Sequence, residues 1–259
     1  MTLISSFNVN SINARKEIVI NYLLENQIDI LLIQETKCQN ENFPLNEFNN
    51  IGYNVSLNGQ KSYNGVAVIS KFPIKVNSSN LFLNSDNNEE QARFLDVKIL
   101  DYNLICLYVP NGNPINSDKY SYKIDWLNEL YIYCKKLYNS NEKIILAGDF
   151  NIIQKDIDCY DPIAWQGDAL FTNEVKSILK KIINIGFVDS FRAKNPNVRE
   201  YSFWDYQNGA WQKDNGIRID LILLSAESMD VLEQTGIHKT LRNKNRPSDH
   251  VPIWISLRD

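Results

Sequence analysis

Short apolar runs recur along this chain, and several stop without transition at an acid or an amide. Leu31-Leu32-Ile33 gives way to Gln34-Glu35-Thr36, and Ile144-Ile145-Leu146-Ala147 to Gly148-Asp149-Phe150-Asn151. A third run, Val251-Pro252-Ile253-Trp254-Ile255, is entered through Ser248-Asp249-His250. Runs this short, rich in Val, Ile and Leu and closed by Gly, Pro, Asn or Asp, predict buried strands. A carboxylate at such a strand end cannot stay buried without a partner, so solvent or a shared site must receive it. Strand ends that together deliver oxygen and nitrogen ligands predict a single metal-assisted hydrolytic site.

The same reading extends over the chain, with strands predicted at 3–9, 29–34, 53–57, 65–70, 93–99, 103–109, 143–147, 218–224 and 251–257. Amphipathic spacing predicts helices over 15–26, 118–138 and 173–185, the last capped by Thr172. Hairpins mixed with occasional helices fit two stacked sheets flanked by helices better than an alternating βαβ array. No linker divides the 259 residues, and an apolar share of 44% supports one large α/β domain spanning 1–259. The polar stretch from Asn84 to Gln91 reads as a loop between strands.

Composition narrows the function classes. The N-terminus lacks the basic start and apolar run of a secretory signal, and no apolar stretch is long enough to cross a bilayer. A soluble, cytoplasmic protein is therefore expected. Cys38, Cys106, Cys134 and Cys159 are scattered without paired spacing, which predicts neither a zinc site nor a disulfide framework. A net charge of −4 disfavours a protein that coats nucleic acid. It does not exclude a nuclease, whose metal-binding carboxylates add to the acidic count while a local basic rim faces the phosphates.

Asn8 and Asn10, two apart in a strand, share a face while Phe7 and Val9 point into the core, although Asn pairs also make turns. Glu35 suits a hard divalent ion such as Mg²⁺, or else ends a solvated strand. Gly148 permits close backbone approach, and Asp149 and Asn151 face one way, able to align a water and hold a phosphate oxygen. Tyr108, in Leu107-Tyr108-Val109-Pro110-Asn111-Gly112, either covers the core edge or contacts phosphate. Arg218 and Asp220 share one face of an apolar strand, so Asp220 either orients His250 or pairs internally with Arg218. His238 sits among ordinary surface residues and receives no role. Trp211, in a Gly-flanked loop with Gln212 and Lys213, either stacks on a base or sugar or packs under its own loop. Lys119 and Lys123, one helical turn apart, offer part of a basic rim.

Taken in order, several segments resemble the signature series of the bacterial exonuclease III and class II abasic-site endonuclease family, within the exonuclease–endonuclease–phosphatase superfamily. They are Asn8-Val9-Asn10, Gln34-Glu35-Thr36-Lys37, Tyr108-Val109-Pro110-Asn111-Gly112, Gly148-Asp149-Phe150-Asn151, Arg218-Ile219-Asp220 and Ser248-Asp249-His250. The likeness runs from residue 4 to residue 257, and Tyr160-Asp161-Pro162, Ala164-Trp165-Gln166-Gly167 and 201–212 also resemble the exonuclease III branch. One departure is Ser11, where many relatives carry Gly; it removes no ligand.

The resemblance implies a four-layer α/β sandwich of two packed mixed β-sheets flanked by helices, with the site at one edge of the paired sheets. It implies Mg²⁺-dependent hydrolysis of DNA phosphodiesters, with Mn²⁺ as a substitute. The implied activities are 3′→5′ exonuclease action on duplex DNA, class II incision at abasic sites and 3′-end cleaning. The implied partner is double-stranded DNA with abasic sites or blocked 3′ ends, acted on by a monomer without membrane contact. Catalysis would fall to Tyr108, Asp149, Asn151, Asp220 and His250, and metal binding to Asn8, Glu35, Asp149, Asn151, Asp249 and His250. Substrate contact would fall to Asn10, Asn111, Lys119, Lys123, Trp211 and Asp249. The water-activating role stays open between Asp149 and His250. A lipid or inositol phosphatase of the same superfamily is an alternative, disfavoured by the lack of a basic amphipathic helix. An inert DNA-end binder is another, disfavoured because every motif position is filled.

Overall fold

In the computed structural model, which describes residues 1–82, 91–138 and 142–258, six helices are interspersed among twelve strands. The strands are β1 (Thr2–Asn8), β2 (Ile30–Gln34), β3 (Asn54–Asn58), β4 (Val66–Ser70), β5 (Lys75–Ser78), β6 (Phe94–Ile99), β7 (Tyr102–Tyr108), β8 (Lys143–Asp149), β9 (Val188–Asp189), β10 (Asp220–Leu224), β11 (Leu232–Ile237) and β12 (Ile253–Leu257). The helices are α1 (Ile12–Glu25), α2 (Leu45–Asn50), α3 (Asp118–Tyr138), α4 (Asn173–Asn184), α5 (Ser190–Lys194) and α6 (Ala226–Met229). Every strand and helix expected from the sequence is present. Of the polar stretch expected to form a loop, residues 84–90 lie outside the described residues.

The strands form two six-stranded sheets, ordered β11-β12-β1-β2-β4-β3 and β5-β6-β7-β8-β10-β9. Both are mixed: β1 runs parallel to β2 and β7 to β8, while β12, β4, β6 and β10 join them antiparallel. Side-chain parity then assigns each residue to a layer. Ile4, Ile30, Leu32, Val66 and Val68 of one sheet meet Leu104, Cys106, Ile145, Ala147 and Ile222 of the other between the sheets. On the opposite face of the first sheet, Phe7, Leu31, Ile33 and Ala67 pack under α1 through Val19, Tyr22 and Leu23, and Phe48 of α2 joins them. On the opposite face of the second, Ile105, Leu107, Leu146 and Leu221 pack under α3 and α4. The result is the expected four-layer sandwich. Each fully buried Leu, Ile or Val contributes roughly 1.5–3 kcal/mol. Thr172 caps α4 as expected, its side chain accepting from the Val175 N–H at 3.3 Å.

Parity and strand direction together place the chemistry. In-facing residues of β1, β2, β7, β8 and β10 follow a period of two, which carries Asn8, Gln34, Tyr108, Asp149 and Asp220 to the inter-sheet face. Parallel strands end at a common edge, and antiparallel neighbours begin there. Asn8 thus registers with Gln34, Tyr108 with Asp149, and Asp149 with Asp220. Gly148, at φ 157, lies so close to β7 that an added Cβ would sit 1.8 Å from the Leu107 carbonyl oxygen. That close pairing fixes the end of β8 at the edge.

Candidate active site

Where the apolar seam between the sheets opens, polar side chains replace it. Asn8 donates through Nδ2 to Glu35 Oε1 at 2.9 Å and to Asp149 Oδ2 at 3.0 Å, bridging the sheets. Its Oδ1 accepts from the Asn10 backbone N–H at 3.1 Å. Asn10 itself does not share a strand face with Asn8. β1 has already ended, and Asn10 turns at φ 46 to donate to Asp249 Oδ1 at 3.1 Å. The next residue, Ser11, holds the turn at φ 88, a conformation that glycine adopts without cost.

Glu35, Asp149 and His250 each place a ligating atom within 4.8 Å of the others, and Asp249 is not part of this group. His250 Nδ1 lies 2.8 Å from Asp220 Oδ2, while Nε2 lies 3.7 Å from Asp149 Oδ2. Asp220 therefore meets the imidazole, the partner that one of its two sequence readings gave it. The internal pair with Arg218 does not form, because Arg218 turns to Asp158 (2.7 Å) and Asp189 (2.8 Å). Ser202 donates to the same Asp220 oxygen at 2.6 Å, and the Phe203 ring packs edge-on to His250 with centroids 4.9 Å apart. Ser248 donates to the Asn8 carbonyl (2.8 Å) and accepts from the His250 N–H (3.2 Å), fixing the entry to β12.

Burial and crowding set the proton affinities. Burial raises the Asp149 carboxyl to about 7; the charges of Asp220 and Glu35 add to this, and His250 opposes it. For His250 burial works against the charged ring, but Asp220 and Asp149 outweigh it and lift the imidazole to about 10. Burial alone would raise Glu35. Lys37, 2.8 Å from Oε2, and the Asn8 amide instead hold it below its ordinary value. Burial and the charges of Glu35 and Asp149 push the Tyr108 phenol well above its ordinary range, which keeps it a donor. One imidazolium thus balances a pocket rich in carboxylates.

Asn151 closes the pocket from the second sheet. It turns at φ 49, its N–H bonded to Asp149 Oδ1 at 2.9 Å, and its Nδ2 donates to the Val109 carbonyl at 2.9 Å. An amide nitrogen carries two N–H groups, so one is left for a ligand. Asn111 Nδ2 reaches Asn151 Oδ1 at 3.3 Å. The cavity here holds about 290 Å³, with Trp165, Leu170, Phe203 and Ile219 as an apolar wall opposite the acids. It shares Asn111 and Asn113 with a groove of about 830 Å³ lined by Gln60, Tyr63, Arg93 and Lys119.

Two expected substrate contacts are placed differently. Lys123 does not belong to a basic rim: it is fully buried, and its Nζ donates to the carbonyls of Asn111, Asn151 and Ala169. Lys119, one turn earlier, does line the groove. Trp211 packs edge-on against Trp204, centroids 4.8 Å apart, and its Nε1 donates to Asn243 at 3.0 Å. The ring stays half-buried, held between Trp204 and Asn243, and Trp211 lines neither cavity. Trp211→Ala is accordingly expected to lower the melting temperature and to reduce turnover of duplex DNA and of a small phosphodiester alike. A loss confined to DNA with an unchanged melting curve would restore the stacking role. His238, given no role, is half-buried, bonded to the Tyr22 hydroxyl at 3.0 Å and stacked on Trp254.

Sequence reading gave no site role to Lys37, Ser202 or Phe203, although the resembling segments contain them, and did not single out Arg93. Lys37 carried a signal, since it follows Glu35 in a turn outside the strand, and its Nζ also reaches Asn10 Oδ1 at 2.5 Å. Arg93 lies with its guanidinium 4.5 Å from the Tyr108 ring centroid, a pairing across strands that no local pattern reveals. Among the described residues, no helix is long and apolar enough to cross a membrane.

Comparison with known proteins agrees with this geometry. The model of the Endonuclease/Exonuclease/phosphatase family matches residues 5–250. Exodeoxyribonuclease III of Haemophilus influenzae is 29% identical over 98% of this chain and 98% of its own length. Among solved structures, an AP endonuclease from Archaeoglobus fulgidus superposes with a TM-score of 0.94 at 36% identity, covering 100% of both chains. A 3′ phosphatase from Neisseria bound to a product DNA hairpin gives a TM-score of 0.96 at 31% identity, again over 100% of both. A hydrolytic constellation and a family match over nearly the whole length converge: the chain is a hydrolase of phosphodiester bonds and belongs to the endonuclease/exonuclease/phosphatase family.

Proposed function

We propose that this chain is a Mg²⁺-dependent DNA repair nuclease acting, as a monomer, on duplex DNA at abasic sites and at free or blocked 3′ ends. The observation that carries the reading is the Glu35, Asp149 and His250 cluster, with ligating atoms within 4.8 Å, beside a groove bearing Arg93 and Lys119. The names of the Haemophilus exodeoxyribonuclease III, the Archaeoglobus AP endonuclease and the Neisseria DNA-hairpin complex support DNA as the substrate.

The donor set fits a divalent cation. Two carboxylates and an imidazole converge where an anionic phosphate must enter, and such a pocket repels phosphate until a cation neutralises it. Glu35 and Asp149 would hold it, with Asn8, Asn151, Asp249 and His250 completing the surroundings. When bound, such an ion neutralises charge on the phosphate and on the departing 3′ oxygen. Asp149 and His250 place the attacking water, the Asp149 carboxylate taking its proton beside the imidazolium, while Asp220 holds Nδ1 so that Nε2 faces Asp149. The second N–H of Asn151 donates to a non-bridging oxygen as charge accumulates, and the Tyr108 hydroxyl donates to the phosphate or the leaving oxygen. Asn10, Asn111 and Asp249 line the approach.

A substrate panel tests the reading. Duplexes carrying an abasic analogue, a 3′ phosphate or a plain recessed end are compared with an inositol phosphate, all in Mg²⁺. Cleavage of the DNA substrates and inertness of the inositol phosphate are expected. Faster turnover of the inositol phosphate would assign the superfamily's phosphatase activity instead, and DNA binding without turnover would leave an inert end binder.

A further inference from the structure

Lys123 is fully buried on α3, yet it ends in a charge. A buried ammonium is costly unless each of its N–H groups meets an acceptor. Here all three do: the Asn111 carbonyl at 2.9 Å, the Asn151 carbonyl at 2.7 Å and the Ala169 carbonyl at 3.1 Å. A neutral amine has only two N–H groups and could not serve three carbonyls, so the geometry belongs to the charged form.

The three carbonyls come from three turns that lie beyond the β7–β8 ladder, which ends at Tyr108 and Asp149, and that only scattered bonds join, among them Val109 to Asp149, Asn151 to Val109, Ala169 to Asn113 and Ile153 to Leu170. One follows β7 and carries Asn111, one follows β8 and carries Asn151, and one precedes α4. Gly112 makes room for the lysine stem: at φ 84, an added Cβ would lie 2.6 Å from Lys123 Cδ and 3.5 Å from Ala169 Cβ. An apolar side chain of similar length would fill the same space without the desolvation cost. What it would not do is hold three turns to one point.

We propose that Lys123 is a positioning residue of the hydrolytic site, its buried ammonium locking the turns that carry Asn111 and Asn151 into the register the phosphate requires. The proposal rests on the nuclease reading above, and it replaces a contact with DNA by an action through two amides.

The test compares the parent with Lys123→Met in steady-state cleavage of an abasic duplex at saturating Mg²⁺, per folded molecule. Displacement of reacting groups by about an ångström costs on the order of 10²-fold, so kcat is expected to fall by that order. KM should change less than about threefold, and the salt dependence of kcat/KM should keep its slope, because no phosphate contact is lost. Amide hydrogen exchange, read by mass spectrometry without substrate, should quicken at 110–113, 150–153 and 168–170 and not along β8. An unchanged kcat per folded molecule, or a raised KM with a shallower salt slope, would overturn the proposal; the second result would return Lys123 to the DNA-facing rim. If the parent cleaves no DNA, the nuclease reading fails by itself, and unchanged exchange in the three turns then overturns the lock. Should Lys123→Met not fold, Lys123→Gln, which removes the charge and one N–H, carries the same test.

Discussion

Asp149→Asn and His250→Ala each lower kcat by about 10³-fold, and the double variant falls less than about tenfold further. The expectation follows from the contact between them: Nε2 stands 3.7 Å from Asp149 Oδ2, and beside burial and the charge of Asp220, each group's charge shifts the other's proton affinity. Two residues that share one proton-transfer task lose it once, whichever is removed. A factor of 10³ corresponds to about 4 kcal/mol of transition-state stabilisation. A second observable separates cooperation from mere proximity. The Asp149 charge raises His250, so Asp149→Asn should move the imidazole titration down from about 10, toward its ordinary value, in a metal-free NMR titration. Losses that multiply in the double variant, with an unmoved imidazole, would show that the two act independently.

Glu35→Gln removes the charge proposed to face the metal and is expected to leave the fold intact. The substitution is isosteric, and Glu35 sits just past the end of β2, where no core packing depends on its charge. Cleavage at a fixed Mg²⁺ concentration is expected to fall on the order of 10²-fold, with half-maximal activity displaced to higher Mg²⁺. Calorimetry without DNA should show weakened Mg²⁺ binding, and the melting curve of the metal-free protein should stay within a few degrees of the parent. Parent-like cleavage across the Mg²⁺ titration would remove Glu35 from the ligand set.

Why the site was legible in the sequence comes down to parity. Asn8, Tyr108, Asp149 and Asp220 stand at alternate positions to apolar residues that face the inter-sheet core, so the strand pattern alone aims them between the sheets. What parity cannot reach is the turn after the strand. Asn10 and Asn151 were read as continuing the alternation, but both adopt left-handed turns, at φ 46 and φ 49, and are aimed by hydrogen bonds instead. Lys123 was misread for a different reason. It shares a helical stripe with Trp126, Leu127, Leu130 and Cys134, all buried, and that spacing points inward whatever the residue's charge. The strands absent from the sequence reading, β5, β9 and β11, are edge strands that are mostly exposed (β5), two residues long (β9) or polar in the middle and only partly buried (β11). Their pairing comes from the neighbouring strand, so apolar periodicity leaves no trace of them.

The proposed function makes the edge of this sandwich a metal-dependent phosphodiester hydrolase centre for damaged duplex DNA. Its most direct test is a 5′-labelled duplex with a single abasic analogue, incubated with the parent protein in Mg²⁺ or in EDTA. The predicted result is one incision on the 5′ side of the lesion, leaving a 3′ hydroxyl, in Mg²⁺ and not in EDTA. Equal cleavage in EDTA, or an intact duplex at every Mg²⁺ concentration, would contradict it.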